Sequence, residues 1–188
     1  VTLHHNLIAH ARFRSPLLTN GQSEFINNVI YNYWNSGVQV SPEYGPVSTN
    51  IIGTYLKPGP DTVPGGRTNF GMRVYNEAND PDIAHPEYKT QSQLYTHWNY
   101  AAPLWAGYAS NDDAWIPAGH ERNQLVASRL AIGAQISFTT PEQAYLDVLA
   151  SAGAYPRDSY DTAVIASVIA GTGAYIDDPA DVGGYPTF

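Results

Sequence analysis

The sequence predicts an all-β protein, a right-handed parallel β-helix of a few coils, with one or two α-helices packed on it near the C-terminus. Three observations carry that expectation. Short apolar–polar runs recur at nearly even steps: 22 residues from Asn6 to Asn28, about 25 from Asn28 to Gly53 and about 21 from Gly53 to Val74. A period of roughly 20–50 residues marks a repeat architecture. The composition is rich in turn formers and tyrosine, with 16 Gly, 14 Pro and 14 Tyr, while 43% of residues are hydrophobic, too many for a disordered chain. Helix-start signals gather beyond residue 135.

In chain order, the strand runs are Thr2 to Ile8, Glu24 to Tyr33, Thr49 to Leu56 and Gly71 to Tyr75. Each holds apolar residues without a helical period, and the turns between them are long for hairpins, which favours stacked coils over a sandwich. Asparagines sit at the centre of successive runs. Stacked in a coil, Asn6, Asn27, Asn28 and Asn50 would form a ladder in which each amide satisfies the next. Pro58 to Gly66 reads as a long loop, and 76–135 is the least regular region, with Trp98, Trp105 and Trp115 scattered among Tyr, Asn and Asp. Thr140-Pro141-Glu142-Gln143 supplies an N-cap, a first-turn proline and a capping-box glutamine. A second helix starts at Asp158 or Ser159 and stops at Gly171. Both would cover the side or end of the stack, hiding strand edges. The expected organisation is one domain over 1–188, with coils and loops to 135 and a helical tail over 136–188.

The chain has 188 residues and opens at Val1-Thr2-Leu3-His4, already within a β-patterned segment, so a piece of a longer protein is expected. No run of about 18 apolar residues suggests a membrane span. Seventeen acidic against nine basic residues give a net charge of -8, which argues against non-specific nucleic-acid binding. The same charge repels a polyanionic ligand over a Debye length of about 8–10 Å, unless local cations oppose it. With no cysteine there are no disulfides and no thiolate chemistry.

Few residues stand out chemically. Arg12 and Arg14 lie two apart, on one face if the segment is extended. His4, His5 and His10 invite a zinc reading, yet on a strand His4 and His5 would point to opposite faces. The acidic pairs Asp80-x-Asp82, Asp112-Asp113 and Asp177-Asp178 stand in turn-like contexts poorly suited to a metal. Tyr31, Tyr33 and Trp34 could stack on sugar rings, although packing is the commoner use of such residues. No phosphate loop, Ser-His-Asp order or Cys-His pair is evident.

The segment His4 to Asn32 resembles the catalytic coil of the family 1 polysaccharide lyases, the pectate lyases. It holds a His-His-Asn strand, an arginine eight residues after Asn6, a proline two further on and the pair Asn27-Asn28. Asn50 to Pro60, ending in Lys57-Pro58-Gly59-Pro60, is similar to the family's next coil. Ala144-Tyr145, Ala152-Gly153-Ala154, Pro156-Arg157-Asp158, Asp161 and Val182-Gly183-Gly184-Tyr185-Pro186 follow the family's tail in order. The resemblance implies secretion and β-elimination of an acidic polysaccharide, polygalacturonate. It makes Arg14 the general base, with Arg12, Pro16 and His10 binding substrate.

A guanidinium holds its proton far into the alkaline range, so reaching its free base at about pH 9 costs roughly 5–6 kcal/mol. Nearby positive charge must offset that cost. The family uses Ca²⁺, whose ligands lie on coils before the His-His-Asn strand, so no metal ligand is expected in this chain. The family's second arginine, five residues after the first, is Thr19 here. Rival readings are a pectin lyase, which needs no Ca²⁺, and a non-catalytic β-helix that binds acidic polysaccharide. Neither nucleic acid nor membrane is an expected partner. Residues 1–8 should be a strand whose outer edge is covered by an N-terminal half or a second copy, and the Pro141 helix and tail should close the other end.

Overall fold

The computed structural model describes residues 1–12, 14–34, 36–62, 70–74, 86–101 and 124–184. Eleven strands are seen among them: β1 (Thr2–His4), β2 (Leu7–Ala9), β3 (Leu17–Leu18), β4 (Gly21–Ile26), β5 (Val29–Tyr31), β6 (Ser36–Val40), β7 (Val47–Ile52), β8 (Tyr55–Lys57), β9 (Phe70–Val74), β10 (Gln93–His97) and β11 (Tyr100–Ala101). They form three parallel sheets, ordered β1-β4-β7-β10, β2-β5-β8-β11 and β3-β6-β9. The chain visits the sheets in rotation, so each strand pairs with one laid down a circuit earlier. Register fixes the circuits: Thr2 opposes Glu24, Glu24 opposes Asn50, and Asn50 opposes Tyr95.

Each long run read from the sequence is two strands with a corner between them. The corner is one residue in the left-handed region followed by a small polar residue. His5, Asn27, Gly53 and Trp98 have φ of 54°, 50°, 60° and 53°, and Asn6, Asn28, Thr54 and Asn99 follow them. A single residue at positive φ turns the strand without interrupting the pairing. The corner N–H groups of His5, Asn27 and Gly53 still donate to Ile26, Ile52 and His97 of the next circuit, at 3.1, 2.8 and 3.0 Å.

Two expectations are corrected here. The partner of Gly53 on the next circuit is Trp98, not Val74: β9 lies in the third sheet against β6, with Val40 opposite Val74. The stretch after Lys57 adds residues to this circuit, so the even step breaks. The asparagine ladder also has different members. Asn28 Oδ1 accepts from the backbone N and Nδ2 of Asn6, both at 2.9 Å, and Asn99 Oδ1 accepts from Thr54 N at 2.9 Å. Asn27 and Asn50 bond along the stack to Gly53 O and Glu24 Oε1, not to another amide side chain, and also reach outward to Thr139 and Leu130.

Inside the coils lie Phe25, Ile30, Tyr33, Val38, Val40, Val47, Ile51, Leu56, Leu94 and Ala101. The alternation of strand side chains sends Leu7, Ala9 and Tyr31 of the second sheet outward. There they meet helices α2 (Pro141–Ser151) and α3 (Ser159–Ala170) through Tyr145, Leu149, Ile165 and Val168. Thr140 caps α2 as expected, but Gln143 turns forward to Asp147 at 2.8 Å. Asp158 caps α3 through the N–H groups of Tyr160 and Asp161, and Gly171 ends it at φ 72°. A short helix α1 (Pro86–Gln91) leads into β10.

Residues 124–184 cross the outside of the stack as a belt. Leu125 bridges to Leu94, Leu130 reaches Asn50, and Gln135 reaches Glu24. Thr139 then reaches Asn27, and Ile176 reaches His10. The helices therefore lie along the side of the coils, against β5 and β8, and do not close the end as expected. The reason is that the second sheet is apolar on both faces and needs a cover.

Candidate functional site

The turn from the second to the third sheet carries the arginines. It is pinned at both ends. At one end His10, with φ 59°, donates its backbone N–H to Tyr31 O at 3.0 Å and accepts from Ile176 N at 3.1 Å. At the other, Ser15 is buried, the Ser15–Pro16 peptide is cis, and Pro16 O accepts from Gln39 N at 2.9 Å. Between these anchors Arg12 and Arg14 are exposed. Arg14 has φ 62°, a backbone conformation uncommon outside glycine and frequent at functional sites. Among the described residues no hydrogen-bond or ion-pair partner faces its guanidinium. Arg12 lies with its guanidinium carbon 5.8 Å from the Trp34 ring centre.

His10 is turned inward, 3% exposed. Its Nε2 lies 2.7 Å from Ser167 Oγ on α3, and its Nδ1 lies 3.1 Å from Asn32 Nδ2. Asn32 also donates to Asp61 Oδ2 at 3.0 Å and accepts from Asp61 N at 2.9 Å. Asp61 Oδ2 takes a further bond from Tyr175 N at 2.8 Å. Burial lowers the His10 pKa below its ordinary value, opposed by the Asp61 carboxylate. Burial, with Asp61 beside it, pushes the Tyr175 hydroxyl up to about 12. Gly173, at φ 102°, packs on the imidazole so closely that an added Cβ would sit 2.4 Å from His10 Cε1. Asn32, Asp61, Ser167 and Tyr175 were not anticipated from the sequence. Asn32 stands 22 residues after His10, the same step that relates Asn6 to Asn28, and that signal could have found it.

The remaining candidates separate. Tyr31 and Tyr33 are buried, so packing, the commoner use of such residues, holds for both and sugar stacking does not: Tyr31 donates to Thr172 O at 2.8 Å under the helices, and Tyr33 lies in the interior. Trp34 lies beneath Arg12. Thr19 accepts from Tyr44 N at 3.3 Å through its carbonyl. His5 leaves the strand at the corner, so His4 and His5 do not diverge; their Nδ1 atoms are 3.1 Å apart, and His10 lies elsewhere in the buried column. Asp178 caps a short 3₁₀ turn over Pro179–Val182, and Asp181 accepts from Asp177 N and Asp178 N. Asp80, Asp82, Asp112 and Asp113 lie outside the described residues. Among the described residues no three His, Cys, Asp or Glu side chains converge as metal ligands, so nothing there fits a Ca²⁺ ion, which takes about six to eight oxygens. No described helix is long and apolar enough to cross a membrane.

No family model matches the chain, but curated relatives do. It is 29% identical over 189 residues to the probable pectate lyase C of Aspergillus flavus, covering 98% of this chain and 41% of that protein. It is 32% identical over 193 residues to that of Neosartorya fischeri and 31% over 192 to that of Aspergillus fumigatus, covering 98% of this chain and 40% of each relative. The chain thus spans about two fifths of the length of the proteins it matches. Those relatives are named as enzymes, polysaccharide lyases, and the residues that align with them run through the coils, the arginine turn and the belt alike. By sequence the chain is similar, along nearly its whole length, to a portion of each of these probable pectate lyases.

Proposed function

We propose that this chain carries the proton-abstracting side of a secreted pectate lyase acting on polygalacturonate. Its three parallel sheets would be the faces of a right-handed β-helix forming one domain over 1–188, with coils to 135 and the helical tail after. The observation that supports this best is Arg14, held outward at positive φ on a turn pinned at both ends, with no partner for its charge among the described residues. A preset cation without a counter-ion suits the carboxylate-bearing ring of a galacturonate chain. Arg12 and Pro16 would seat the ring, and His10 would act on substrate through the turn it anchors.

In the elimination, Arg14 as free base takes the proton from C5. The electron pair left there forms the C4–C5 double bond, and the C4–O4 bond breaks, releasing the chain end as an alkoxide that takes a proton from solvent. The resemblance implies Ca²⁺ on the substrate carboxylate. Its ligands would lie on coils preceding His4, which would also cover the edge strands β1, β2 and β3, and no step here depends on it.

The test uses the protein with those coils present, with polygalacturonate as substrate and ultraviolet absorbance of the unsaturated product as readout. Arg14→Lys keeps the charge and loses the planar fork, so activity should fall by a factor of about 10² or more, on the scale of losing a general base. Retention of more than about a tenth of the activity removes Arg14 from that role. Activity that survives a chelator and needs methyl-esterified substrate indicates a pectin lyase. Binding without any product indicates a non-catalytic polysaccharide receptor, a reading to which Thr19 and the net charge of -8 give some support.

A further inference from the structure

The buried column beneath the arginine turn has a fixed proton arrangement. Asn32 Oδ1 accepts from Asp61 N, and Asn32 Nδ2 donates to Asp61 Oδ2. The amide cannot be flipped without setting its oxygen against a carboxylate. Its Nδ2 donor therefore faces His10 Nδ1, 3.1 Å away, and Nδ1 must be the acceptor. The imidazole proton then sits on Nε2 and is donated to Ser167 Oγ, which gives its own proton to Val164 O at 2.7 Å. Every group is satisfied only if His10 is neutral. A second proton on Nδ1 would set two donors face to face in a nearly solvent-free site.

We propose that His10 is a positioning residue for the Arg12–Arg14 turn, holding it against Asn32 and α3 only as the neutral Nε2–H imidazole. The proposal rests on the lyase reading above. Its consequence is that the turn loosens on mild acidification, so the guanidinium groups lose their placement before the substrate carboxylates lose their charge.

The surrounding charges set the sign. From the loop after β8, Asp61 favours the proton; from the belt, Asp181 borders the same cleft and Asp177 lies near Tyr175. Arg12 on the turn itself acts on Tyr175, Lys57 lies over the Tyr31 ring, and Tyr31 and Tyr175 are neutral phenols held above their ordinary range. Burial outweighs the carboxylates, and the His10 pKa is lowered in the closed turn. An open turn binds the proton near pH 6.5, so the closed-to-open ratio falls by up to tenfold per pH unit below about 6.5.

The first measurement is a histidine ¹⁵N correlation spectrum of the full chain from pH 8 to 5, with His10 assigned by its loss in His10→Gln. The second is amide exchange over residues 11–16, and the third is calorimetric binding of trigalacturonate. His10 should show an unprotonated Nδ1 at neutral pH and titrate below the ordinary histidine value. Exchange over 11–16 should rise as pH falls, and binding should weaken several-fold between pH 7 and 5.5. A gain of positive charge at the surface would tighten binding to a polyanion, so the direction separates the two effects. Ser167→Ala, a milder change than His10→Gln, should raise exchange over 11–16 at neutral pH and shift the tautomer signal. A proton on Nδ1, an ordinary titration, or exchange over 11–16 indifferent to pH and to both variants overturns the proposal. If the turn responds as stated but trigalacturonate binds at no pH, the lyase reading fails while control of the turn by His10 stands.

Discussion

The coils and the belt are held by different forces. Within the stack successive circuits repeat the same bonds: strand pairing, a left-handed corner residue and, in all but the Thr54 circuit, an asparagine after it, around a filling of aliphatic and aromatic side chains. The belt repeats nothing. It is fastened at separate points, most of them a polar side chain on the coils reaching backbone groups of the C-terminal segment, with the Glu24–Arg129 ion pair, the His10–Ser167 contact and the backbone bond from Ile176 N to His10 O beside them. Asn50 exchanges two bonds with Leu130, Asn27 two with Thr139, and Lys57 caps the end of α3 by donating to Val168 O and Ile169 O. The arginine turn lies where the two meet, tied to the coils through Asn32 and to the belt through Ser167 and Ile176. Removing the stack should unfold the molecule, and loosening the belt should disturb the turn first.

The largest difference is expected between two apolar truncations. Phe25 fills the inside of the second circuit and Leu149 joins α2 to the outer face of the second sheet; both are buried. Phe25→Ala should cost about 3–5 kcal/mol and Leu149→Ala about 2–3 kcal/mol, the transfer term plus the cavity left behind. The contrast should appear in amide exchange. Phe25→Ala should raise exchange across all three sheets together, and Leu149→Ala should raise it in α2, α3 and residues 172–176 while β4 and β7 stay protected. Equal spread in both variants would show that stack and belt fold as one unit.

A smaller effect is expected at Glu24, where a belt fastening is ionic. Its carboxylate is fully buried and accepts from Arg129 Nη2 at 2.7 Å, Gln135 N at 3.0 Å and Thr2 Oγ1 at 3.2 Å. Burial pushes its pKa up, but the hydrogen bonds from Arg129, Gln135 and Asn50 together outweigh that and hold it below the ordinary value. The unfolded chain therefore takes up a proton first as pH falls. The stabilisation is complete above about pH 4.3, the unfolded value, and is lost as pH drops through the lower folded one. Glu24→Gln should cost about 1–3 kcal/mol at neutral pH and flatten the acid limb of the stability curve. An acid limb identical to that of the unaltered chain would mean that other carboxylates control it.

The stack was legible because it is periodic. A step of 22 residues in the sequence became the register Thr2 to Glu24 and Leu17 to Gln39, and Asn6 with Asn28 pointed to the corner. Periodicity failed where the chain adds residues to a circuit: the last coils were expected within 76–135, where β10 and β11 lie, but without strand bounds, and Gly53 was matched to Val74 in place of Trp98. The helices were legible from their caps, but their place was not. Capping is local, whereas docking depends on which outward residues of the second sheet are apolar, and that needs the register first. At the site, Arg14 and Pro16 stood out by their spacing. The His10 column did not, since Asn32, Asp61, Ser167 and Tyr175 are spread over more than a hundred residues and share no pattern except position.

The smallest expected effect tests the corner ladder at its one irregular rung. Asn28 donates through Nδ2 to Leu3 O at 3.1 Å and accepts from Asn6 N; Asn99 repeats this two circuits further on, donating to Ile51 O at 2.9 Å and accepting from Thr54 N. Thr54 occupies the same place in the circuit between them, but its side chain is too short to make those bonds. It is fully buried and, among the described residues, its hydroxyl oxygen has no partner. An unpaired buried hydroxyl costs about 1–3 kcal/mol by mutational measures, and part of that should be recovered when it is replaced by a methyl of nearly the same shape. Thr54→Val keeps the branched side chain and leaves the backbone bond to Asn99 untouched. It should stabilise the chain by about 1 kcal/mol, seen as a rise in Tm of roughly 2–4 °C for a protein of this size. A fall in Tm would mean that the hydroxyl is satisfied in solution, most simply by a buried water bridging it to the second circuit, and that the ladder runs unbroken from Asn6 to Asn99.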